Sequence, residues 1–286
     1  MKIIIFINIL YNINKKMELI LKNNRNIVYN VMSCLKFTDR YNLCLTNKDY
    51  FENKFKKYKH HELIEIKFKD HLLTKKWINI KFKIDLTETD ITDVSMLGHT
   101  LNLSDCNNIA DVSMLGNVHT LDLFNCENIA DVSMLGNIHT LYLSFCDNIT
   151  DVSMLGNVNT LYLSGCQNII DVSMLGNVYI LNLSYCENIA DVSMLGNVHN
   201  LNLMFCKNIR DISMLVKVHT LNLSNCQNIT DVSMLGNVHT LNLLYCQNIK
   251  DVSMLGKVHN LNLQLCNNIP KCQIVELKKT VKKLKY

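Results

Sequence analysis

A unit of twenty residues recurs almost unchanged along about two-thirds of the chain, and it limits the fold more than any other feature. It reads Asp-Val-Ser-Met-Leu-Gly-Asn-Val-His-Thr-Leu-Asn-Leu-Ser-x-Cys-x-Asn-Ile-x, with copies beginning at Asp111, Asp131, Asp151, Asp171, Asp191, Asp211, Asp231 and Asp251. A ninth copy at Asp93 lacks the Asn-Val pair, and a degenerate half-unit, Ile84 to Thr92, precedes it. A unit this short cannot bury its own apolar face, so the copies must stack on one another, and the predicted architecture is a solenoid. Solenoids of this kind mostly bind other molecules rather than catalyse reactions.

The copy beginning at Asp131 shows what each position does. Leu141-Tyr142-Leu143 alternates apolar and polar, the pattern of a short strand with two leucines facing inward. Val132, Leu135, Ile138, Cys146 and Ile149 complete about seven inward positions per coil. Burial stabilises by roughly 1.5–3 kcal/mol per large aliphatic side chain, so a stack can offset its ordering entropy only cooperatively. Gly136 follows the short Asp-Val-Ser-Met-Leu turn, where a residue with φ > 0 would reverse the chain. Val216 and Lys217 replace the Gly-Asn pair in one copy, and that coil is expected to be strained or reshaped.

Other positions form columns. The Asp column is expected to cap the backbone N–H groups of the Ser-Met-Leu turn, and Asn108, Asn128, Asn148 and their equivalents to bond backbone of the turn. The Met column, Met96 to Met254, is expected to pack between coils on the back. Nine cysteines, Cys106 to Cys266, recur in register and are expected as a buried core ladder. Reduced thiols of that kind point to an intracellular, cytoplasmic protein. Seven of the ten histidines (His99, His119, His139, His199, His219, His239 and His259) form a column that reads as a solvated edge. No metal, cofactor or catalytic constellation stands out from the repeat.

Differences among copies separate scaffold from recognition. The outward strand position runs Asn102, Asp122, Tyr142, Tyr162, then Asn onward, and the residue before each ladder Cys varies most. Phe124, Tyr142, Phe145, Tyr162, Tyr185, Phe205 and Tyr245 are predicted to lie on the concave face and its rim and to bind a protein partner, since clustered exposed aromatics give large contact area at low entropic cost. Drift between repeats, with the rings packing on one another, is the competing reading.

Residues 84–270 resemble leucine-rich repeats, carried by Leu-x-Leu-x-x-Cys-x-x-Ile-x-Asp as in Leu141 to Asp151. The ladder Cys and the Ile three residues later resemble the cysteine-containing subclass. Twenty residues leave room for a tight turn or single 3₁₀ turn on the back, so the expected fold class is an α/β leucine-rich-repeat solenoid of short parallel strands, with a small N-terminal helical module. The Asp-Val-Ser-x-Leu turn also resembles bacterial adhesion repeats.

That module, residues 17–55, resembles an F-box: Ile27-x-x-x-Val31-x-Ser33-x-Leu35-x-Phe37-x-Asp39-Arg40-x-Asn42-Leu43-x-Leu45-Thr46-Asn47-Lys48. The Leu-Pro that opens the motif is absent; Asn23-Asn24 stands there. The resemblance implies that Ile27, Val31, Leu35, Phe37, Leu43 and Leu45 meet a Skp-type adaptor. The chain would then be the target-binding subunit of a cullin-type ubiquitin ligase, acting without chemistry of its own and monomeric outside the complex; the alternative is a leucine-rich-repeat binding scaffold with no ubiquitin link, its N-terminal helices serving only as a cap. F-box/repeat chains with this Asn/Ile/Lys bias are similar to those of amoebal giant viruses or protists, which would place the protein in a host cytoplasm.

Charge and the chain ends complete the reading. Residues 1–90 hold 18 Lys/Arg against 10 acids, residues 91–270 hold 5 against 14, and the last sixteen hold 6 against 1. The acidic repeats have the wrong sign for nucleic acid. Ile64, Ile66 and Phe68, then Ile78, Ile80, Phe82 and Ile84, alternate like early strands within the linker and cap, residues 56–92. Nine repeats follow over 93–270. Ile274, Leu277, Val281 and Leu284 predict an amphipathic helix over 271–286 that covers the last coil. Lys2 and the apolar run to Leu10 resemble the start of a signal peptide, but no small-residue cleavage site follows and the run is too short to span a bilayer. Met17 is therefore expected to be the working start, with residues 1–16 a leader.

Overall fold

Each coil contributes a three-residue strand made of the first leucine of its Leu-x-Leu pattern and the residue on either side of it, as in Thr140–Tyr142, and the second leucine follows directly after it. In a computed structural model of the chain, the described residues are Glu65–Lys67, Lys83–Asp85 and 100–286; the F-box-like segment lies outside them. The strands are β1 (Glu65–Lys67), β2 (Lys83–Asp85), β3 (Thr100–Asn102), β4 (Thr120–Asp122), β5 (Thr140–Tyr142), β6 (Thr160–Tyr162), β7 (Ile180–Asn182), β8 (Asn200–Asn202), β9 (Thr220–Asn222), β10 (Thr240–Asn242), β11 (Asn260–Asn262) and β12 (Lys283–Lys285). They form one parallel sheet in chain order, β1 to β12. Register never slips: Leu121 pairs with Leu101 and Leu141, and Ile66 pairs with Ile84. Of the alternating linker residues, Ile66 and Ile84 therefore lie in the sheet, in β1 and β2; Ile64, Phe68, Ile78, Ile80 and Phe82 lie outside the described residues.

The core is the predicted one. Val132, Leu135, Ile138, Leu141, Leu143, Cys146 and Ile149 are all buried, and the same seven columns repeat through the described coils until the last, where Ile269 is half-buried. Beyond each strand the backbone ladder continues: Leu143 N donates to Tyr162 O at 2.8 Å and Phe145 N to Ser164 O at 2.8 Å. Because every coil bonds to and packs against only its two neighbours, stability is a chain of nearest-neighbour terms.

On the opposite side the chain makes a short 3₁₀ turn, first Ser113–Leu115 and Ser133–Leu135, then five residues from Ser153–Asn157 onward. The Asp column caps these turns as expected: Asp111, Asp131 and Asp151 each accept the N–H of the Ser two residues on at 2.9 Å, and the bond recurs to Asp251. The Asn column works differently from expectation. Asn148 Nδ2 donates to Glu127 O at 2.7 Å and Asn168 Nδ2 to Asp147 O at 2.7 Å, so these amides tie each coil to the preceding one rather than to their own turn.

The glycine column does not supply positive φ. Gly116 and Gly136 are right-handed helical, at φ −58° and −63°. Glycine is needed there for space, because a Cβ at Gly136 would stand 2.2 Å from the carbonyl oxygen of Met154 in the next coil. Positive φ falls instead on the residue before each ladder Cys, among them Asp105, Asn125, Phe145, Tyr185, Phe205, Tyr245 and Leu265, with Gly165 at +77°. Val216, which breaks the glycine column, sits in a turn whose Leu215 has left helical geometry (φ −84°, ψ 15°), the reshaping expected of that coil.

The C-terminal cap is shorter in helix than predicted. Helix α1 spans Lys271–Thr280, and the chain then turns back into β12. Leu277 and Val281 are buried against the last coil. β12 pairs with β11 and puts Lys283 and Lys285 on the outermost strand, where charge discourages a further strand from adding.

Candidate functional site

The strand face is built by what the last residue of each strand does. In most coils an Asn or Asp occupies that place and caps the following turn: Asn102 Oδ1 accepts from Ser104 N at 2.9 Å, Asp122 Oδ1 from Phe124 N at 3.0 Å, Asn182 Oδ1 from Ser184 N at 3.0 Å. The bond recurs at Asn202, Asn222, Asn242 and Asn262. Tyr142 and Tyr162 hold the same place in two adjacent coils and have no side-chain acceptor for it. Their rings instead stack at 4.7 Å and 6°. The signal was in the sequence, since Asn two residues before a turn residue is an Asx-turn pattern. Two coils have thus exchanged a backbone cap for a half-exposed aromatic pair.

The remaining predicted aromatics fall at the strand ends. Phe124 meets Phe145 edge-on at 5.4 Å, and both are exposed. Phe145 also overlies Gly165, where a Cβ would be 2.6 Å from its ring. Tyr185 stacks on Phe205 at 4.7 Å. The seven residues therefore divide into three ring pairs and a separate Tyr245. Phe145, Tyr185, Phe205 and Tyr245 are held in the left-handed region, which costs roughly 1–2 kcal/mol for a residue with a Cβ. Burial against its neighbour, then Tyr162 and Asp122, pushes the Tyr142 phenol above its ordinary value.

The other columns are structural or solvated. Cys126, Cys146 and Cys166 each donate Sγ–H to the carbonyl of Leu103, Leu123 and Leu143 in the preceding coil at 3.0–3.1 Å. Burial pushes these thiols up to about 12, so they carry no thiolate at neutral pH. The nine ladder cysteines are buried. Histidine rings stack at 4.6 Å along His199, His219, His239 and His259, with Tyr179 on His199. Among the described residues no three His, Cys, Asp or Glu side chains form a metal-binding group, and no helix is long and apolar enough to cross a membrane.

The Asp column and His259 make the fold acid-sensitive. The Ser N–H and hydroxyl hold the Asp131 and Asp151 carboxyls below the usual carboxylate range, so the capped form contributes stability above about pH 4 that is lost as pH falls further. His259 is held below the usual imidazole value by partial burial, then by the charges of His239, Lys282 and Lys283. An unfolded chain protonates it near pH 6.5, so its contribution also fades as pH falls below that. The melting temperature is expected to decline slightly below pH 6.5 and steeply below pH 4. Asp171→Asn/Asp191→Asn, which keeps a capping oxygen, should flatten the steep limb; an unchanged limb would remove the Asp column as its cause.

The chain matches no family model and no curated protein sequence. Among solved structures it is similar to an internalin, InlF, of Listeria monocytogenes: 22% identity, 72% of this chain, 74% of that chain, TM-score 0.50. A leucine-rich-repeat protein of Leptospira interrogans (17% identity, 71% and 77% covered, TM-score 0.41) and LegL7 of Legionella pneumophila (15%, 77% and 89%, TM-score 0.38) resemble it more loosely. The fold is a leucine-rich-repeat solenoid. At this identity the likeness speaks for the fold alone, and the strand-face geometry must carry the functional reading.

Proposed function

We propose that the repeats bind a protein through the aromatic strand face, and that the chain presents this target to a Skp/cullin/F-box-type ubiquitin ligase. The observation that supports binding is the Tyr142–Tyr162 pair, which stands where seven other copies keep a capping Asn or Asp. Scaffold economy favours the cap; a partner that buries two stacked phenols explains its loss. The ligase half of the proposal rests on the F-box-like residues Ile27, Val31, Leu35, Phe37, Leu43 and Leu45 and on the acidic, non-catalytic character of the repeats. The solenoid itself contributes proximity between target and conjugating enzyme.

The deciding measurement is a pull-down of residues 17–286 with purified Skp-type adaptor, beside a Leu35→Asp/Leu43→Asp control. Adaptor retained by the native chain and lost by the control is the expected result. A folded native chain that fails to retain adaptor leaves a repeat scaffold with no ubiquitin link.

A further inference from the structure

The face opposite the strands carries a second apolar row that the reading above does not use. The sequence pattern places the methionines between coils, but the structure turns them outward. Met114, Met134, Met154, Met174 and Met194 are each 59–63% exposed, and Ile170 beside them is 66% exposed. The cause is local: a three-residue turn can aim only one side chain inward, and Leu115, Leu135 and their equivalents take that place. The glycine column then draws successive turns together, because Gly116, Gly136, Gly156 and Gly176 each lie against the Met carbonyl of the next coil. Five thioethers in register form a continuous apolar stripe. Interstrand spacing makes it roughly 19 Å long, the rise of about 13 residues of helix.

Charge selects the occupant. Asp111, Asp131, Asp151, Asp171 and Asp191 run parallel to the stripe, and their carboxylates stay charged because the turn N–H groups bind them. Elsewhere on this side, the hollow between coils is lined jointly by the two columns, as with Asp231, Asp251 and Met254. No lysine or arginine occurs between Lys83 and Lys207. Farther along, Arg210, Lys217, Lys250 and Lys257 dilute the acid, so the stripe is most one-signed in the first five of these coils. Flexible methionines flanked by carboxylates complement an apolar helix face edged with Lys or Arg. An anionic bilayer would be repelled by the same carboxylates. Helix α1, which is basic, has Leu277 already buried against the last coil.

We infer that the Asp/Met stripe over Asp111–Asn197 is a docking surface for a basic amphipathic helix of a partner protein, separate from the aromatic strand face.

The test uses the full chain and a labelled synthetic helix of about 14 residues built from Leu and Lys at helical spacing, followed by fluorescence anisotropy, with a Leu/Glu peptide of the same pattern as control. The expected result is binding of the Leu/Lys peptide alone, weakened by raising salt from about 0.05 to about 0.5 M. Met154→Ser/Met174→Ser/Met194→Ser should weaken it about tenfold with an unchanged melting temperature. Ala130→Lys/Thr150→Lys/Ala190→Lys, which leaves every cap in place, should weaken it comparably, and Tyr185→Ala/Phe205→Ala should leave it unchanged. Equal binding by the serine variant, or loss only in the strand-face variant, overturns the assignment. So does binding of phosphatidylserine-containing vesicles in preference to the peptide, or a native dimer in sedimentation that the serine variant dissolves. Adaptor pull-down reads different residues, so either proposal can fail without the other.

Discussion

Leu183→Ala in the middle of the stack is expected to lower the free energy of unfolding by about 2–5 kcal/mol, the cost of an aliphatic cavity that neighbours cannot refill. Leu183 is fully buried. Its column neighbours Leu163 and Leu203 are fully buried too, and both belong to adjoining coils, so one truncation weakens two interfaces at once. Collapse is restricted because the backbone spacing is pinned: Leu163 N donates to Asn182 O at 2.8 Å and Leu183 N to Asn202 O at 2.9 Å. The thiol of Cys206 also bonds the Leu183 carbonyl at 3.1 Å, which resists a shift of that strand toward the void. Urea titration followed by far-UV circular dichroism would show a midpoint moved well to the left. A loss below about 1 kcal/mol would mean that the stack relaxes along its axis, against the nearest-neighbour picture.

Periodicity made most of the scaffold legible. Leu141 and Leu143 had to face inward because the residue between them is polar, and the same logic placed Val132, Leu135, Cys146 and Ile149 correctly. Asp131 two residues before a turn N–H is a local pattern, and it caps as local patterns do. What escaped the sequence depends on the distance between coils. Gly136 gives the same letter whether it supplies a positive φ or a close approach, and only the 2.2 Å separation from the Met154 carbonyl position decides. The left-handed residue hid in the most variable column, where Phe145 and Tyr185 mask the trend; Asp105, Asn125, Gly165 and Asn225 were its signature, since these types tolerate that conformation. Met154 looked like core because it is apolar, yet a turn of this size has one inward place and Leu155 fills it. On the strand face the sequence showed neither the division of the aromatic residues into pairs nor that Tyr142 and Tyr162 stand where other coils keep a cap. Those facts depend on ring geometry and on what Asn102 or Asn182 does in its own coil.

Gly176→Ala is expected to destabilise by about 1–3 kcal/mol, the range for forcing atoms into a filled space. In isolation the substitution should help, because alanine at a negative-φ glycine stabilises by about 0.4–1 kcal/mol through the unfolded chain. The contact reverses the sign: the new Cβ would lie 2.4 Å from the Met194 carbonyl oxygen, a backbone atom that can move only if its coil moves. Gly256 separates the two effects. There the added Cβ would meet only the Thr280 side chain, 3.1 Å from its Oγ1, and that side chain can rotate away. Gly256→Ala should accordingly be neutral or slightly stabilising in the same thermal melts. Val216 shows how the stack accommodates a Cβ in this column, with Leu215 driven off helical geometry. The cost at Gly176 therefore falls on the spacing of adjacent turns, and the methionine stripe should feel it. Gly176→Ala is expected to weaken the Leu/Lys peptide while leaving ring stacking of Tyr142 on Tyr162, read by near-UV circular dichroism, intact. Equal melting temperatures for the two alanine variants would show that the coils are spaced by their strands alone, with the glycine column contributing nothing to how tightly the turns pack.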